Sequence, residues 1–472
     1  MAFLAGWTQE RRKPGPDGPW EPLEPAALLA RIGRRLVGAE SVDLVACVRP
    51  YAWAYADLAG DVAVRLGVAA ETITAEHCGN SPVAVLGEVA RRLDAGDART
   101  ALVLGCETMH SRRLARREGV WLDWTPRPES RADTTMATDL EARHGITEPV
   151  GIFSVIDHAF RHRLGRSRDG HRRRAAEILA RNAGVSATNP FAWFGVDHDA
   201  ATIATPTAGN RMVADPHTKL MCAVMDVDQG AGLLLTAEPE GDRPVRIASV
   251  AGAHDPQRVV HRPEIGASPG LTAAAEGALA AAGVTVDQVD AFDLYSCFPV
   301  AVELAAEALG VDPIGDPRPL TMTGGLAYAG GPGNAYAVHA LAAAGQAIAT
   351  GRHDTVAVSG IGMACSKHDW SVLTTGTGPT EVAAHAGIVG APVEEVPDHG
   401  GPGRVAGYTV LWNRLGPARS VFYLDVPGGH RTVANGPDDA EWFGWLEAHD
   451  PMGVEGTVEA GTTNLFRPGG TR

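Results

Sequence analysis

The residues that could most directly take part in a reaction lie just before a predicted helix. The segment "HCGNSPVAVLGEVARRLDAG" can begin a helix at Asn80 or Ser81, with His77 and Cys78 immediately upstream. A thiolate at a helix N-terminus is stabilised by unpaired N–H groups and by the helix dipole, so Cys78 is a candidate nucleophile. A small buried cysteine in a loop is the alternative interpretation.

A second group of reactive side chains follows a short apolar run in "FDLYSCFPVAVELAAEALG". The run predicts a strand, and a helix is expected after Pro299. Tyr295, Ser296 and Cys297 would then lie where a parallel strand meets its loop, a common location of active sites in open α/β sheets. A buried, hydrogen-bonded tyrosine is the alternative.

The third feature is a glycine-rich loop, "GGLAYAGGPG", which runs from Gly324 to Gly333 directly into a helix of small residues. Glycine lets backbone N–H groups approach a ligand closely, which suits an oxyanion or a thioester carbonyl. Tyr328 is the loop's side chain with acid–base potential. A glycine-rich loop alone fits many ligands.

Several charged side chains could contact an anionic substrate or act as acid–base groups. They occur in "NRMVADPHTKLM", in "SKHDW" and in the arginine run 172–174. Ordinary loop charges and a solvated helix face are the alternatives. The candidates are Arg211, His217, Lys219, Lys367, His368 and Arg173.

The elements that must position these residues repeat along the chain. The helix after Asn80 should end near Gly96 and be followed by the strand "TALVLGC". "GNAYAVHALAAAGQAIATGRHDTVAVSGIG" has the same order, and Asn334 lies 254 residues after Asn80, while Gly351 lies 255 after Gly96. This spacing predicts a duplicated α/β unit, although βαβ units share patterns by chance.

Two further regions flank the repeated units. Residues 108–217 are rich in Arg, His and Pro, and "FRHRLGRSRDGHRRRAAEILARNAG" predicts a basic helix or helical hairpin. After residue 376, apolar and polar residues alternate between Gly and Pro turns. That pattern predicts a small β domain, a barrel of about five strands.

Composition excludes several classes of function. The net charge of −15 argues against nucleic-acid binding, and six scattered Cys without a CxxC pair argue against zinc or a disulfide scaffold. No signal peptide and no apolar run of membrane-spanning length is evident, so a cytoplasmic protein is expected. The chain has no GxSxG, Walker or strand-linked GxGxxG motif.

Four motifs together resemble the thiolase superfamily, in particular its thiolase-like, sterol-carrier-type acetyl-CoA acetyltransferase branch. They are "GNSPVAV…DAGDARTALVLGCETM", "NRMVADPHTKLM…VDQGAG", "DLYSCFP" and "TMTGGLAYAGGPGNAYAVHAL", and the likeness spans about residues 1–375. It implies a duplicated, five-layer α/β/α/β/α fold with halves at 1–240 and 241–376 and a loop domain inserted at 108–217. Residues 377–472 resemble the OB-type domain of some thiolase-like proteins.

The resemblance also implies site residues, but the usual thiolase set is largely missing. The nucleophile position falls on Cys78 or Gly79, depending on a one-residue register. Gly331 stands in place of the family's GHP histidine, and Tyr295 in place of its Asn or His. The expected catalytic residues are Tyr295, Tyr328, Cys78, Ser296 and His368. The expected substrate- or CoA-binding residues are Gly79, Asn80, Gly330, Gly331, Gly333, Arg211, Lys219 and Arg173.

These observations lead to one expected function and one alternative. The first is a non-standard thiolase-like enzyme that makes or breaks a C–C bond of an acyl thioester, by retro-aldol cleavage or acyl transfer. The second is a catalytically silent acyl-CoA-binding or complex-forming protein. A coenzyme A thioester is expected as substrate or ligand, with no permanently bound cofactor or metal. A monomer or homodimer without nucleic-acid or membrane partners is expected.

Overall fold

The computed structural model describes residues 1–13, 20–37, 42–128 and 135–469. Its helices are Pro25–Val37 (α1), Leu58–Leu66 (α2), Ser81–Ala95 (α3), Met109–Glu118 (α4), Asp139–Arg143 (α5), Pro149–Arg163 (α6), Arg168–Thr188 (α7), Ala200–Ala204 (α8), Pro269–Ala282 (α9), Pro299–Leu309 (α10), Tyr336–Ala349 (α11) and Ala440–Ala448 (α12).

The strands are Phe3–Arg11 (β1), Leu44–Val48 (β2), Glu71–Thr74 (β3), Thr100–Thr108 (β4), Met212–Ala214 (β5), His217–Thr218 (β6), Asp228–Thr236 (β7), Val245–His254 (β8), Ala291–Asp293 (β9), Thr355–Gly362 (β10), Lys367–Thr375 (β11), Glu381–Val382 (β12), Gly401–Trp412 (β13), Pro417–Val426 (β14), His430–Asn435 (β15), Glu455–Glu459 (β16) and Leu465–Pro468 (β17).

The predicted duplication is confirmed by strand order. The first half orders its strands β3-β2-β4-β7-β1; β3, β2 and β4 are parallel, β7 is antiparallel to β4, and β1 is antiparallel to β7. The second half follows the same scheme as β9-β10-β11-β8. The backbone at 319–320 takes the place of β3, because Phe292 N–H donates to the Pro319 carbonyl at 2.8 Å and Leu294 N–H to that of Leu320 at 3.0 Å.

The helices form one central layer and two outer layers. Helices α3 and α11 contact each other and strands of both halves, whereas α1 and α2 pack on the outer face of one half and α9 and α10 on that of the other. A helix that is apolar all round must be buried on every side, and α11, "YAVHALAAAGQAIA", meets that condition. The result is five alternating helix and sheet layers.

The helix predicted from Asn80 or Ser81 to about Gly96 is confirmed as α3. Asn80 is its N-cap residue, and Gly96 closes it in the left-handed conformation with φ of +78°. At the same layer, Gly105 of β4 allows the start of the second central helix to approach, since a Cβ there would lie 2.9 Å from the Ala335 and Val338 side chains. Small residues therefore set the spacing of the central layer.

The expected β domain is a closed barrel of five strands. They pair in the order β14-β15-β17-β16-β13, and β13 also pairs with β14, which closes the sheet. Helix α12 lies between β15 and β16 along the chain. Residues such as Phe422 and Phe466 fill the interior.

The insertion between the halves joins the barrel to the core. The expected basic helical hairpin is α6 and α7, and β5 pairs with β13 of the barrel through Ala214 and Leu411. Arg161 of α6 is almost fully buried, and its two terminal nitrogens each donate to a carboxylate oxygen of Asp450 at 2.7 Å. Within the described ranges, no helix is both long and apolar enough to span a membrane.

Removing the charge of Asp450 should weaken the attachment of the barrel. Asp450→Asn leaves the buried Arg161 guanidinium without its counter-charge, so we expect the free energy of unfolding to fall by about 2 kcal/mol, measured by urea denaturation. Asp398→Asn is the control, because Asp398 is 81% exposed and 3.5 Å from Arg143. Equal effects of the two substitutions would contradict this role of the buried pair.

Candidate functional site

The carboxyl ends of parallel strands from both halves converge on one cavity of about 390 Å³. Tyr51 follows β2, Tyr295 follows β9, and Ile361 and Gly362 end β10. Parallel strands place their carboxyl ends at one edge of a sheet, so these loops meet there. The residues that line this site cavity are Tyr51, Gly79, Met136, Glu148, Pro149, Val150, Phe153, Val213, Cys222, Ala223, Met225, Tyr295, Cys297, Phe298, Leu326, Gly331, Gly333, Asn334, Ile361, Gly362 and Met363.

The structure places Gly79, and not Cys78, against the cavity. A Cβ at Gly79 would lie 2.3 Å from the Ile361 carbonyl oxygen and 2.7 Å from the Tyr295 hydroxyl. That hydroxyl thus occupies the space that a side chain at position 79 would need. Cys78 does not line the cavity; its sulfur is 2.2 Å from where a Cβ on Gly362 would be. Burial raises the pKa of the Cys78 thiol, which opposes thiolate formation.

Tyr295 is the predicted catalytic residue that does line the cavity. Its backbone N–H donates to the Ser359 hydroxyl at 2.8 Å, and its ring packs edge-on against Tyr336 at 5.3 Å. Burial raises the pKa of the Tyr295 phenol well above its ordinary value. A phenol in this state stays protonated at neutral pH and can donate a hydrogen bond.

Side chains of the first half pack closely against the glycine-rich loop, which leaves room only for glycine at two of its positions. Gly330 has φ of +107°, and a Cβ there would lie 2.2 Å from the Gln229 side-chain oxygen. Gly333 has φ of +54°, and a Cβ there would lie 2.6 Å from a Glu107 carboxylate oxygen. Gly331 and Gly333 line the site cavity, whereas Gly330 does not.

Three residues around the glycine-rich loop, and Glu148 at the cavity wall, were missed by the sequence analysis. Tyr51 lines the cavity, and its backbone N–H donates to the Glu107 carboxylate at 2.8 Å. Burial raises the pKa of Glu107 to about 7, against the hydrogen bonds it accepts from three backbone N–H groups. Asn334 donates to the Arg49 carbonyl at 2.8 Å, and its buried oxygen has no partner among the described residues. The repeat of Asn80 at Asn334 was the signal that could have found it.

The other three predicted catalytic residues do not line the cavity. The Tyr328 hydroxyl donates to the Leu220 carbonyl at 3.0 Å within an apolar cluster of the insertion. The Ser296 hydroxyl accepts from the Leu326 N–H at 3.3 Å and so positions the glycine-rich loop. His368 is buried, with its Nε2 3.0 Å from an Asp255 carboxylate oxygen.

The described residues in the walls of the site cavity carry no positive charge. Among the described residues that line it there is no Lys or Arg, and Glu148 is the carboxylate. Arg211 lines a different, larger cavity, while Lys219 and Arg173 are exposed and line neither of these two cavities. In the described part of the chain, no group of three or more His, Cys, Asp or Glu side chains could hold a metal ion.

A methyl group added at Gly79 should destabilise the protein and crowd Tyr295. Because the nearest atom is a backbone carbonyl oxygen, Gly79→Ala should lower the free energy of unfolding by about 2 kcal/mol in urea denaturation. Gly444→Ala is the matched control: it lies within α12 with no atom within 4 Å of the added Cβ. This control should raise stability by about 0.5–1 kcal/mol. A neutral Gly79→Ala would contradict the close approach.

The carboxyl group that holds Asn80 should make stability depend on pH. The Asn80 amide donates to Asp369 at 2.6 Å, and burial raises the pKa of Asp369 to about 6. A raised folded pKa disfavours the ionised form, so this contribution is present below about pH 4 and lost as pH rises through 6. Relative to Asp369→Asn, the wild type should lose about 2 kcal/mol of unfolding free energy between pH 4 and 7. The exposed control Asp438→Asn should track the wild type; a pH-independent difference at Asp369 would contradict this.

Comparison with known proteins agrees with the sequence resemblance. No protein-family model and no curated protein matches the chain. The structure superposes on the crystal structure of a monomeric SCP2-thiolase-like protein type 1 from Mycobacterium smegmatis with a TM-score of 0.82 and 26% sequence identity, over 99% of this chain and 98% of that one.

A second solved structure, described as the Ltp2–ChsH2(DUF35) aldolase, superposes with a TM-score of 0.58 and 17% identity, over 79% of this chain and 97% of that one. At this identity the likeness concerns the fold. The resemblance to the thiolase-like branch is therefore confirmed, and this chain has an SCP2-thiolase-like fold with a C-terminal barrel.

Proposed function

We propose that the site cavity binds the acyl end of a thioester and that the protein cleaves a β-hydroxyacyl thioester by a retro-aldol reaction. The observation that carries this proposal is the position of the Tyr295 hydroxyl, which lies beside Gly79 at a largely apolar cavity. Burial also raises the pKa of this phenol. Coenzyme A is the expected thiol part of the substrate, with no permanently bound cofactor. The aldolase neighbour, named above, supports the reaction class by analogy only.

Acyl transfer is less well supported by the geometry. It needs a nucleophile to carry the acyl group, and position 79 has no side chain. The Cys78 thiol does not line the cavity, and burial raises its pKa. Gly331, in the place of the family's histidine, offers no base. A reaction that needs no covalent acyl-enzyme fits these walls better.

The proposed reaction balances without a co-reactant. The β-hydroxyl gives its proton to the Glu148 carboxylate, which lines the cavity. The bond between the α and β carbons breaks, a carbonyl compound leaves, and the electron pair forms the thioester enolate. The Tyr295 O–H donates a hydrogen bond to the enolate oxygen. The α carbon then takes the proton back from Glu148, which yields the shortened thioester.

The alternative is a protein that binds thioesters without turnover. It is favoured by one observation: among the described residues, no histidine lines the site cavity. We further propose that the protein is a monomer, because the neighbour from M. smegmatis is described as monomeric. The cytoplasmic location stays a prediction from the sequence. Size-exclusion chromatography with light scattering tests the oligomeric state.

Replacing Tyr295 should separate catalysis from binding. Tyr295→Phe removes a single oxyanion donor, so we expect kcat/KM on β-hydroxyacyl-CoA thioesters to fall by about 10²–10³. Thioester affinity, measured by calorimetry, should change by less than about threefold, because the ring and the apolar walls are kept. Glu148→Gln should also slow turnover.

Tyr328→Phe is the matched control, since it removes the same hydroxyl outside the cavity. It should lower stability by about 1 kcal/mol through the lost bond to Leu220 while turnover persists. Equal loss of turnover in both variants would contradict the role of Tyr295. Binding by the wild type without any product from a broad thioester panel would establish the silent-binder alternative.

A further inference from the structure

A second, larger cavity lies where the barrel meets the insertion. It has a volume of about 660 Å³ and is bounded by the first turns of α7, the loop before β5, strand β13 and helix α12. We call it the barrel cavity. Successive residues of β5 face the two cavities: Met212 lines the barrel cavity and Val213 lines the site cavity. The barrel cavity is therefore a separate compartment on the other side of one strand.

One wall of the barrel cavity is apolar and rich in aromatic rings. Tyr408, Val410 and Trp412 are alternate residues of β13, so their side chains share one face of the strand. Phe443 and Leu446 lie one turn apart on α12 and complete the wall. This wall can hold an aromatic or aliphatic body.

The polar groups that lack partners in this cavity are hydrogen-bond donors. The Arg172 Nε and the Trp412 indole N–H are buried without a hydrogen-bond partner in the described structure. At the rim, the Arg211 guanidinium donates to the neighbouring Met212 carbonyl, and neither Arg211 nor Arg414 has a carboxylate partner among the described residues. Buried polar atoms are normally paired, so donors left unpaired point to an acceptor supplied by a ligand.

The carboxylates of this cavity do not offset those donors. Asp215 is already paired, with the Arg172 guanidinium at 3.0 Å and His158 at 3.1 Å. Asp169 and Glu447 are exposed, where water solvates them. A cationic ligand would meet the unpaired guanidinium groups, whereas an anionic group can bond them directly.

We propose that the barrel cavity binds an amphipathic anion, a carboxylate or phosphate group on an aromatic or aliphatic body. The anionic group bonds the Arg211 and Arg414 guanidinium groups, and the body packs against the Trp412 and Phe443 rings. The indole N–H supplies a further donor to the ligand. This site is distinct from the site cavity, and it does not depend on the reaction proposed there.

Calorimetric titration with a matched naphthalene series tests the proposal. The probes are 1-naphthyl phosphate and 1-naphthaleneacetate as anions, 1-naphthalenemethanol as the neutral analogue and 1-naphthalenemethylammonium as the cation. We expect the anions to bind at least about tenfold more tightly than the neutral and cationic analogues. The tighter of the two anions identifies the preferred head group.

Variants locate the binding. The double substitution Arg211→Gln with Arg414→Gln changes exposed side chains and should weaken anion binding about tenfold or more, and Trp412→Phe should weaken it about threefold. Arg173→Gln is the matched control, because Arg173 is an exposed arginine of α7 that does not line the cavity. Arg173→Gln and Tyr295→Phe should both leave the affinity for the anions unchanged.

Three results would overturn the proposal. They are no binding of either anion by the folded protein, equal binding of the neutral analogue, or an equal loss of affinity in Arg173→Gln. Thermal melting of each variant establishes that it is folded before titration. Failure of thioester turnover leaves this test unaffected, since it reads anion binding alone.

Discussion

Burial of two helices on both of their sides is the constraint on which the rest of this structure depends. Helices α3 and α11 lie between the two halves of the ten-stranded sheet. Helix α11 is buried around nearly its whole surface, and α3 exposes polar side chains such as Arg91 and Asp94 along one side only. Alanine and glycine make up more than half of α11 and keep it thin enough to fit. Because the two helices are related by the duplication, their entry loops meet, and that meeting point is the site cavity.

Close packing explains why the cavity is lined by backbone as much as by side chains. Gly79 and Gly333 each have a functional group of another element within 3 Å of where a Cβ would stand. These contacts hold the Tyr295 hydroxyl and the Glu107 carboxylate in fixed positions. Burial in the same layer raises the pKa of the Tyr295 phenol further above neutral pH. The packing of the central layer and the chemistry of the cavity thus have one cause.

The barrel is part of the same packed unit. It extends β5 of the insertion through β13, and the buried Arg161 guanidinium is paired with Asp450 just before β16. Strand β5 consequently has a different cavity on each side. A charge buried at such a junction must be paired to be tolerated, which ties the position of the barrel to the insertion.

The sequence by itself determined the elements and their repetition. Local signals such as the predicted start at Asn80 or Ser81 and the stop at Gly96 depend on neighbouring residues, and they predict α3 within a residue. In the structure, the Asn80 side chain bonds Asp369 and does not cap the helix. The near-constant spacing of glycine and asparagine landmarks predicted the duplication for the same reason. The motif resemblance then indicated the thiolase-like fold, because several local patterns agreed in one order.

Only the tertiary structure decided which side chains face the cavity. Cys78 and Gly79 are adjacent, and a shift of one residue in a loop sends a side chain to another side, so sequence spacing could not choose between them. Tyr328 and Tyr295 both lie in loops that were predicted to carry reactive side chains. Packing against the insertion directs the Tyr328 side chain away from the cavity. Tyr51 has no motif of its own. It comes to the cavity because the end of β2 lies beside the loop of the other half, a contact between residues some 280 positions apart.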